Sequence, residues 1–186
     1  MTNNQQIAVI GLGSMGYGMA ASILAAGHRT HGFDINPSQV ARFQAQGGAA
    51  GDLETIVTEI DAVVVVVLNA AQTETVLFGD TGVVPAMKHG SVVLACATVP
   101  PAFARDMAAR CADYGVHYLD APISGGSLKA AAGRLSIMAS GTAQAFAAAA
   151  PVLDATAEKV FTLGDAAGAG SAMKAVNQLL AGVHIT

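Results

Sequence analysis

One amine, two amides and a hydroxyl beside two glycines are the groups in this chain whose types and spacing could do chemistry. Lys174, Asn177 and Gln178 stand at i, i+3 and i+4 of a predicted helix and therefore share one of its faces. A lysine on a helix is ordinarily a solvated surface charge. Held against an apolar ring, its charged form is disfavoured, and its pKa falls toward the range in which an amine can shuttle a proton. Ser124-Gly125-Gly126 exposes successive backbone N–H groups that can hold a carboxylate, and the same three residues also make a plain turn. Near the amino terminus, Gly11-Leu12-Gly13-Ser14-Met15-Gly16 has the G-x-G-x-x-G spacing of a dinucleotide site. The first glycine permits a sharp turn, the second lets backbone approach a pyrophosphate, and the third lets helix and strand pack closely. Asp34, about 20 residues further on, stands where a carboxylate would accept a hydrogen bond from a ribose hydroxyl.

These groups need a scaffold that brings distant segments to one edge. The β-branched residues Ile7, Val9 and Ile10 predict a strand before the glycine turn, and Met15, Met19 and Ile23 a helix after it. Further strands are predicted at 30–34, 62–68, 91–95, 116–119, 135–139 and 160–163. The uninterrupted apolar run 62–68 implies burial on both faces, as in a parallel sheet. The last strand is expected to run antiparallel at the edge, because the connections before it are short. Between the strands come helix signals. Asn36 caps a helix with Pro37 in its first turn, Val40 and Phe43 inward and Gly47 as stop, and Asp52 caps a short helix through Ile56 and Ile60. Phe103, Met107, Cys111 and Tyr114 form a stripe at helical spacing, an alanine-rich helix spans 142–150, and a last helix begins at Ser171. The class is α/β, a doubly wound, mostly parallel sheet with an antiparallel edge. In such sheets ligands bind beyond the carboxyl ends of the strands. Asn69 and Thr98 follow two of those ends and are placed to touch a cofactor, although each also suits the start of a helix.

Composition narrows the function classes. Of 186 residues, 53% are apolar and 12% charged, so some apolar surface is expected to be covered by a partner. Nine basic residues against 13 acidic ones, with no basic cluster, argue against nucleic-acid binding. Cys96 and Cys111 lack CxxC or Cys/His spacing and read as buried thiols in a reducing, cytoplasmic compartment, and no metal-ligand pattern is present. The polar start MTNNQQ is unlike a signal peptide, and no apolar run is long enough to span a bilayer.

Four motifs stand in register: GLGSMGYGMA at 11–20, ATV at 97–99, DAPISGG at 120–126 and GAGSAMKAVNQ at 168–178. Together they closely resemble the β-hydroxyacid dehydrogenases, the group of 3-hydroxyisobutyrate dehydrogenase. Within it LNAAQTETVLFG, MASG and NQLLAGVHI are most similar to the branch that oxidises L-threonate. The resemblance implies a Rossmann-like domain over residues 1–164, with 165–186 opening an interdomain helix. It implies an NAD cradle from Gly11, Leu12, Gly13, Ser14, Met15 and Gly16, with ribose contacts at Asp34 and further contacts at Asn69 and Thr98. It implies a substrate carboxylate on Ser124, Gly125 and Gly126, Lys174 as the catalytic proton acceptor, and Asn177 and Gln178 against the substrate. The family commonly carries two asparagines after its lysine, so Gln178 departs by one methylene. Asp34 repels a 2′-phosphate and residues 35–38 offer no cation to neutralise one, so NAD is expected over NADP. Proteins of this family continue into an all-helical domain, and this chain is expected to lack it. From that follow two further expectations: self-association through Leu179, Leu180, Val183 and Ile185, and little turnover by the chain alone. A cofactor-binding sensor or interaction module without catalysis is the alternative.

Overall fold

The computed structural model describes residues 4–184. β1 (Gln6–Ile10) pairs in parallel with β2 (Arg29–Phe33) on one side and β3 (Ala62–Val65) on the other. β4 (Val92–Ala95) and β5 (His117–Asp120) extend the sheet beyond β3, giving the order β2-β1-β3-β4-β5. The chain leaves β1 toward one edge and returns to its other side at β3, so a crevice opens between their carboxyl ends. Alternate residues face opposite layers, which is why these strands read as continuous apolar runs. Ile7, Val9, Ala62 and Val64 pack with Met19 and Ile23 of α1 (Gly16–Ala25), Phe43 of α2 (Pro37–Ala45) and Val152 of α7 (Ala143–Thr156). Ala8, Ile10, Val63 and Val65 pack with Leu77 of α4 (Ala70–Phe78) and Met107 and Cys111 of α5 (Pro101–Asp113).

Past β5 a second, three-stranded sheet begins. β6 (Ile123–Ser124) is antiparallel to β7 (Leu135–Ala139), and β7 is parallel to β8 (Ala157–Thr162). An antiparallel bridge, Asp120 to Ser140, joins it to the first sheet. α6 (Gly126–Ala131) lies between β6 and β7, and α8 (Ala169–His184) follows β8.

Several expectations need correction. The strand predicted over 62–68 ends at Val65, because β1 gives way to the glycine turn and offers no further partner; Leu68 is 84% exposed. β8 is parallel to its neighbour, and the antiparallel pair is β6 with β7. The reason is α7, which does not stop at residue 150 but runs through Pro151 to Thr156, long enough to return the chain for a parallel crossover. Pro151 removes one helical hydrogen bond, and burial of Val152 and Leu153 immediately after it offsets that loss. Asp52 occupies the cap of α3 (Leu53–Ile56) without a side-chain hydrogen bond, and the helix tightens into a 3₁₀ turn, Val57–Glu59. Tyr114 is exposed at the end of α5 and leaves the buried stripe to Met107 and Cys111. α8 starts at Ala169, two residues before the expected Ser171. Both cysteines are buried free thiols. Among the described residues no helix is long and apolar enough to cross a membrane. Ile185 and the side chain of Val183 lie outside the described residues.

Candidate active site

The glycine turn is held closed from beneath. The Gly11 N–H donates to the Phe33 carbonyl at 2.8 Å, and the Leu12 N–H donates to Oδ2 of Asp34 at 2.7 Å. The other carboxylate oxygen of Asp34 accepts from the Asn36 N–H at 2.8 Å. Asp34 thus ties the end of β2 to the turn. Leu12 has its N–H committed and its side chain buried. Gly11 has φ +97°, and a side chain there would collide with the Val66 carbonyl. At Gly16 it would collide with the Gly11 carbonyl, so that glycine sets how closely α1 approaches β1. Gly13 differs from both. A Cβ on it would meet no protein atom within 4 Å, so it faces open space. No side chain caps α1, and Tyr17 is the first residue to donate back, to Gly13 at 3.1 Å. The amides of Ser14, Met15 and Gly16 therefore precede the helical ladder at its positive end, a ready anion site.

That turn forms one wall of a cleft of about 460 Å³. Gly13, Ser14, Met15 and Gly16 line it with Thr98, Ser124, Gly125, Gly126, Lys174 and Gln178. Val66, Val67, Leu68, Cys96, Ala97 and Ile123 complete the wall. Five segments far apart in sequence thus meet at the edge where the parallel strands end. Lys174 is half-buried, and its Nζ donates to the Ile123 carbonyl at 2.8 Å. Burial holds its pKa below the ordinary lysine value. Cys96 is the one thiol in the wall, and burial, then the nearby Asp120 charge, push it up to about 12, so it is no nucleophile at neutral pH.

Five expected site residues stand apart from that lining: Gly11 and Leu12, whose N–H groups hold the turn closed, and Asn69, Asn177 and Asp34. The Asn69 side chain accepts from the Gln72 N–H at 2.9 Å and caps α4. Asn177 is exposed on α8. Asp34 sits at the end of β2, reaching the turn from behind. The sequence reading passed over Asp120, Ser140 and Ser171, buried polar residues that meet at the first turn of α8. DAPISGG contains the first of them, and a carboxylate directly after Tyr118-Leu119 at the end of a strand is a signal that could have been followed.

Comparison with known proteins accords with this geometry. The family model for the NAD binding domain of 6-phosphogluconate dehydrogenase matches residues 6–164. The chain belongs to this NAD-binding family. The chain is 48% identical over 183 residues to the L-threonate dehydrogenase of Cupriavidus necator, covering 98% of this chain and 62% of that protein. It is 39% identical over 178 residues to the 3-hydroxyisobutyrate dehydrogenase of Pseudomonas aeruginosa, covering 95% of this chain and 59% of that one. Its fold matches a crystal structure of 3-hydroxyisobutyrate dehydrogenase from Salmonella typhimurium with a TM-score of 0.93 at 46% identity, over 98% of this chain and 64% of the other. These relatives fall in the family expected from the four sequence motifs. The chain spans about 60% of the length of the curated relatives it matches.

Proposed function

We propose that this chain carries the cofactor and proton-transfer half of a dehydrogenase for a small hydroxy acid, L-threonate, oxidised to 2-dehydro-L-erythronate. The observation that supports it most is the half-buried Lys174 amine standing in the same cleft as the bare amides of the glycine turn. NAD, when bound, supplies the hydride acceptor. The amides of Ser14, Met15 and Gly16 hold its pyrophosphate, Gly13 leaves the room for it, and Asp34 takes a ribose hydroxyl, with Asn69 and Thr98 nearby. The carboxylate of Asp34, with no cation in 35–38, favours NAD over NADP. Ser124, Gly125 and Gly126 hold the substrate carboxylate with hydroxyl and backbone N–H donors. Neutral Lys174 takes the proton from the substrate hydroxyl. Its seat against the Ile123 carbonyl keeps the nitrogen beside the Ser-Gly-Gly loop. Asn177 and Gln178 continue along the helix face toward the far end of the substrate, and the longer glutamine suits a polyhydroxy acid. The likeness to L-threonate dehydrogenases across nearly all of this chain supports that substrate class.

In this reading residues 1–164 are the cofactor domain and 165–186 the helix that brings the lysine to it. Because Gln178 is exposed and the cleft open, turnover by these residues alone is slow. Calorimetric titration with NAD and NADP, followed by NADH absorbance with L-threonate, D-glycerate and 3-hydroxyisobutyrate, tests the reading on this chain and on one extended past Thr186. Tighter binding of NAD, with L-threonate the preferred substrate of the extended chain, is the expected result. Equal affinity for NADP would refute the role given to Asp34. Binding of NAD with no oxidation of any hydroxy acid by either chain would leave a cofactor-sensing module instead.

A further inference from the structure

Beneath the cleft lies a polar cluster whose members line no part of it. Asp120 ends β5 fully buried, where an unpaired carboxylate would be costly. Four donors satisfy it. Its Oδ2 accepts from the Gly168 N–H at 2.9 Å, the Ser171 N–H at 2.8 Å and the Ser140 hydroxyl at 3.3 Å, and its Oδ1 accepts from the Ser171 hydroxyl at 2.6 Å. Ser140 Oγ in turn accepts from the Gly170 N–H at 2.9 Å. The amides at the start of α8 are thereby spent on one carboxylate and the hydroxyl beside it, with the positive end of the helix against the negative charge. Steric fit adds to this. A side chain at Gly170 would collide with the Met138 carbonyl and lie 2.8 Å from that of Asp120, so the first turn of α8 presses directly on the exits of β5 and β7.

Lys174 follows Ser171 by three residues, and Ile123, whose carbonyl receives the amine, follows Asp120 by three. One strand exit therefore supplies both the anchor for the helix and the acceptor for its lysine. We propose that Asp120, with Ser140 and Ser171, is the positioning cluster for Lys174: it fixes the rotation and height of α8 so that the amine is delivered to the Ser124-Gly125-Gly126 loop. The cluster touches neither the glycine turn nor the cleft, so its work is separable from cofactor binding. The inference rests on reading Lys174 as the proton acceptor, and its test is made independent of turnover.

The chain has four lysines, so ¹³C-lysine labelling gives a resolvable set of Cε signals, with K174R assigning the one of interest. In the parent protein Lys174 titrates below the ordinary lysine value. In S171A and S140A, which change no charge, its titration moves upward as the amine leaves its half-buried seat, while S171T, which keeps the hydroxyl, holds it in place. D120N moves it upward as well. Loss of an anion alone would lower a neighbouring lysine, so a rise there reports displacement. NAD affinity stays within about twofold in all of these, and where oxidation is measurable S171A lowers kcat roughly tenfold or more. A folded S171A in which Lys174 titrates as in the parent overturns the proposal, whether or not D120N folds. A shifted Lys174 in a protein that oxidises no hydroxy acid sustains the positioning cluster and removes only the catalytic reading.

Discussion

Lys174 carries the heaviest demand of any single side chain, and its environment makes the demand specific. Its pKa is lowered by burial, with no partner carboxylate needed to explain the direction. A lowered value means that more of the amine is neutral at a given pH, so oxidation should rise with pH through that value and then level off. K174R should abolish this rise, because a guanidinium stays protonated across the range, and the rate should fall by about 10²-fold or more, the usual worth of a positioned base. NAD affinity should survive, since the lysine stands across the cleft from the turn. A pH–rate profile of the extended protein beside its K174R variant checks both; an R variant with the parent's profile would mean that another group takes the proton. This lysine was legible in the sequence because i, i+3, i+4 spacing assigns a helix face without tertiary information. Asp120 was not, because what makes it consequential is the arrival of Gly168, Ser171 and Ser140 from segments 20 to 51 residues away. Asn69 shows the same limit from the other side: one residue type suits both a helix cap and a cofactor contact, and only the fold reveals the cap.

Among the elements, the glycine turn separates two roles that a G-x-G-x-x-G pattern merges. Gly16 is required by the protein itself, since a methyl there would strike the Gly11 carbonyl, whereas Gly13 faces open space. Gly13→Ala should therefore leave the thermal midpoint of the cofactor-free protein nearly unchanged while removing the stabilisation that NAD confers by binding the native state. Gly16→Ala should lower the cofactor-free midpoint, with a cost of about 1–3 kcal/mol for forcing the helix away from the strand. Melting curves with and without NAD distinguish them. Equal cofactor-free losses in both would place Gly13 in packing as well. The strand-turn-helix order behind this contrast could be read from residues 7–16, where local pattern and turn chemistry agree. The edge of the fold could not. The direction of β8 depends on whether α7 survives Pro151, and that is decided by the burial of Val152 and Leu153 in the core.

The assembled protein leaves an apolar row on α8 exposed. Along α8, Met173, Val176 and Leu179 are 44%, 52% and 70% exposed, on a helix whose first turn is anchored by Asp120 and whose later turns project from the body. Spaced at i, i+3 and i+6, they make a continuous row on one flank. A composition of 53% apolar against 12% charged residues anticipated such a surface, though not its location. Its size and its place on a single helix favour pairing of like with like, the two-fold arrangement in which one row meets its own copy. Sedimentation velocity should thus show association that rises with concentration. L179E, which sets a charge at the most exposed end of the row, should shift the protein to monomer without lowering NAD affinity, because Leu179 lies outside the cleft. If the parent chain sediments as a monomer at every concentration, water is an adequate neighbour for this flank, and the apolar excess of the sequence must be accounted for within the two layers that cover the sheet.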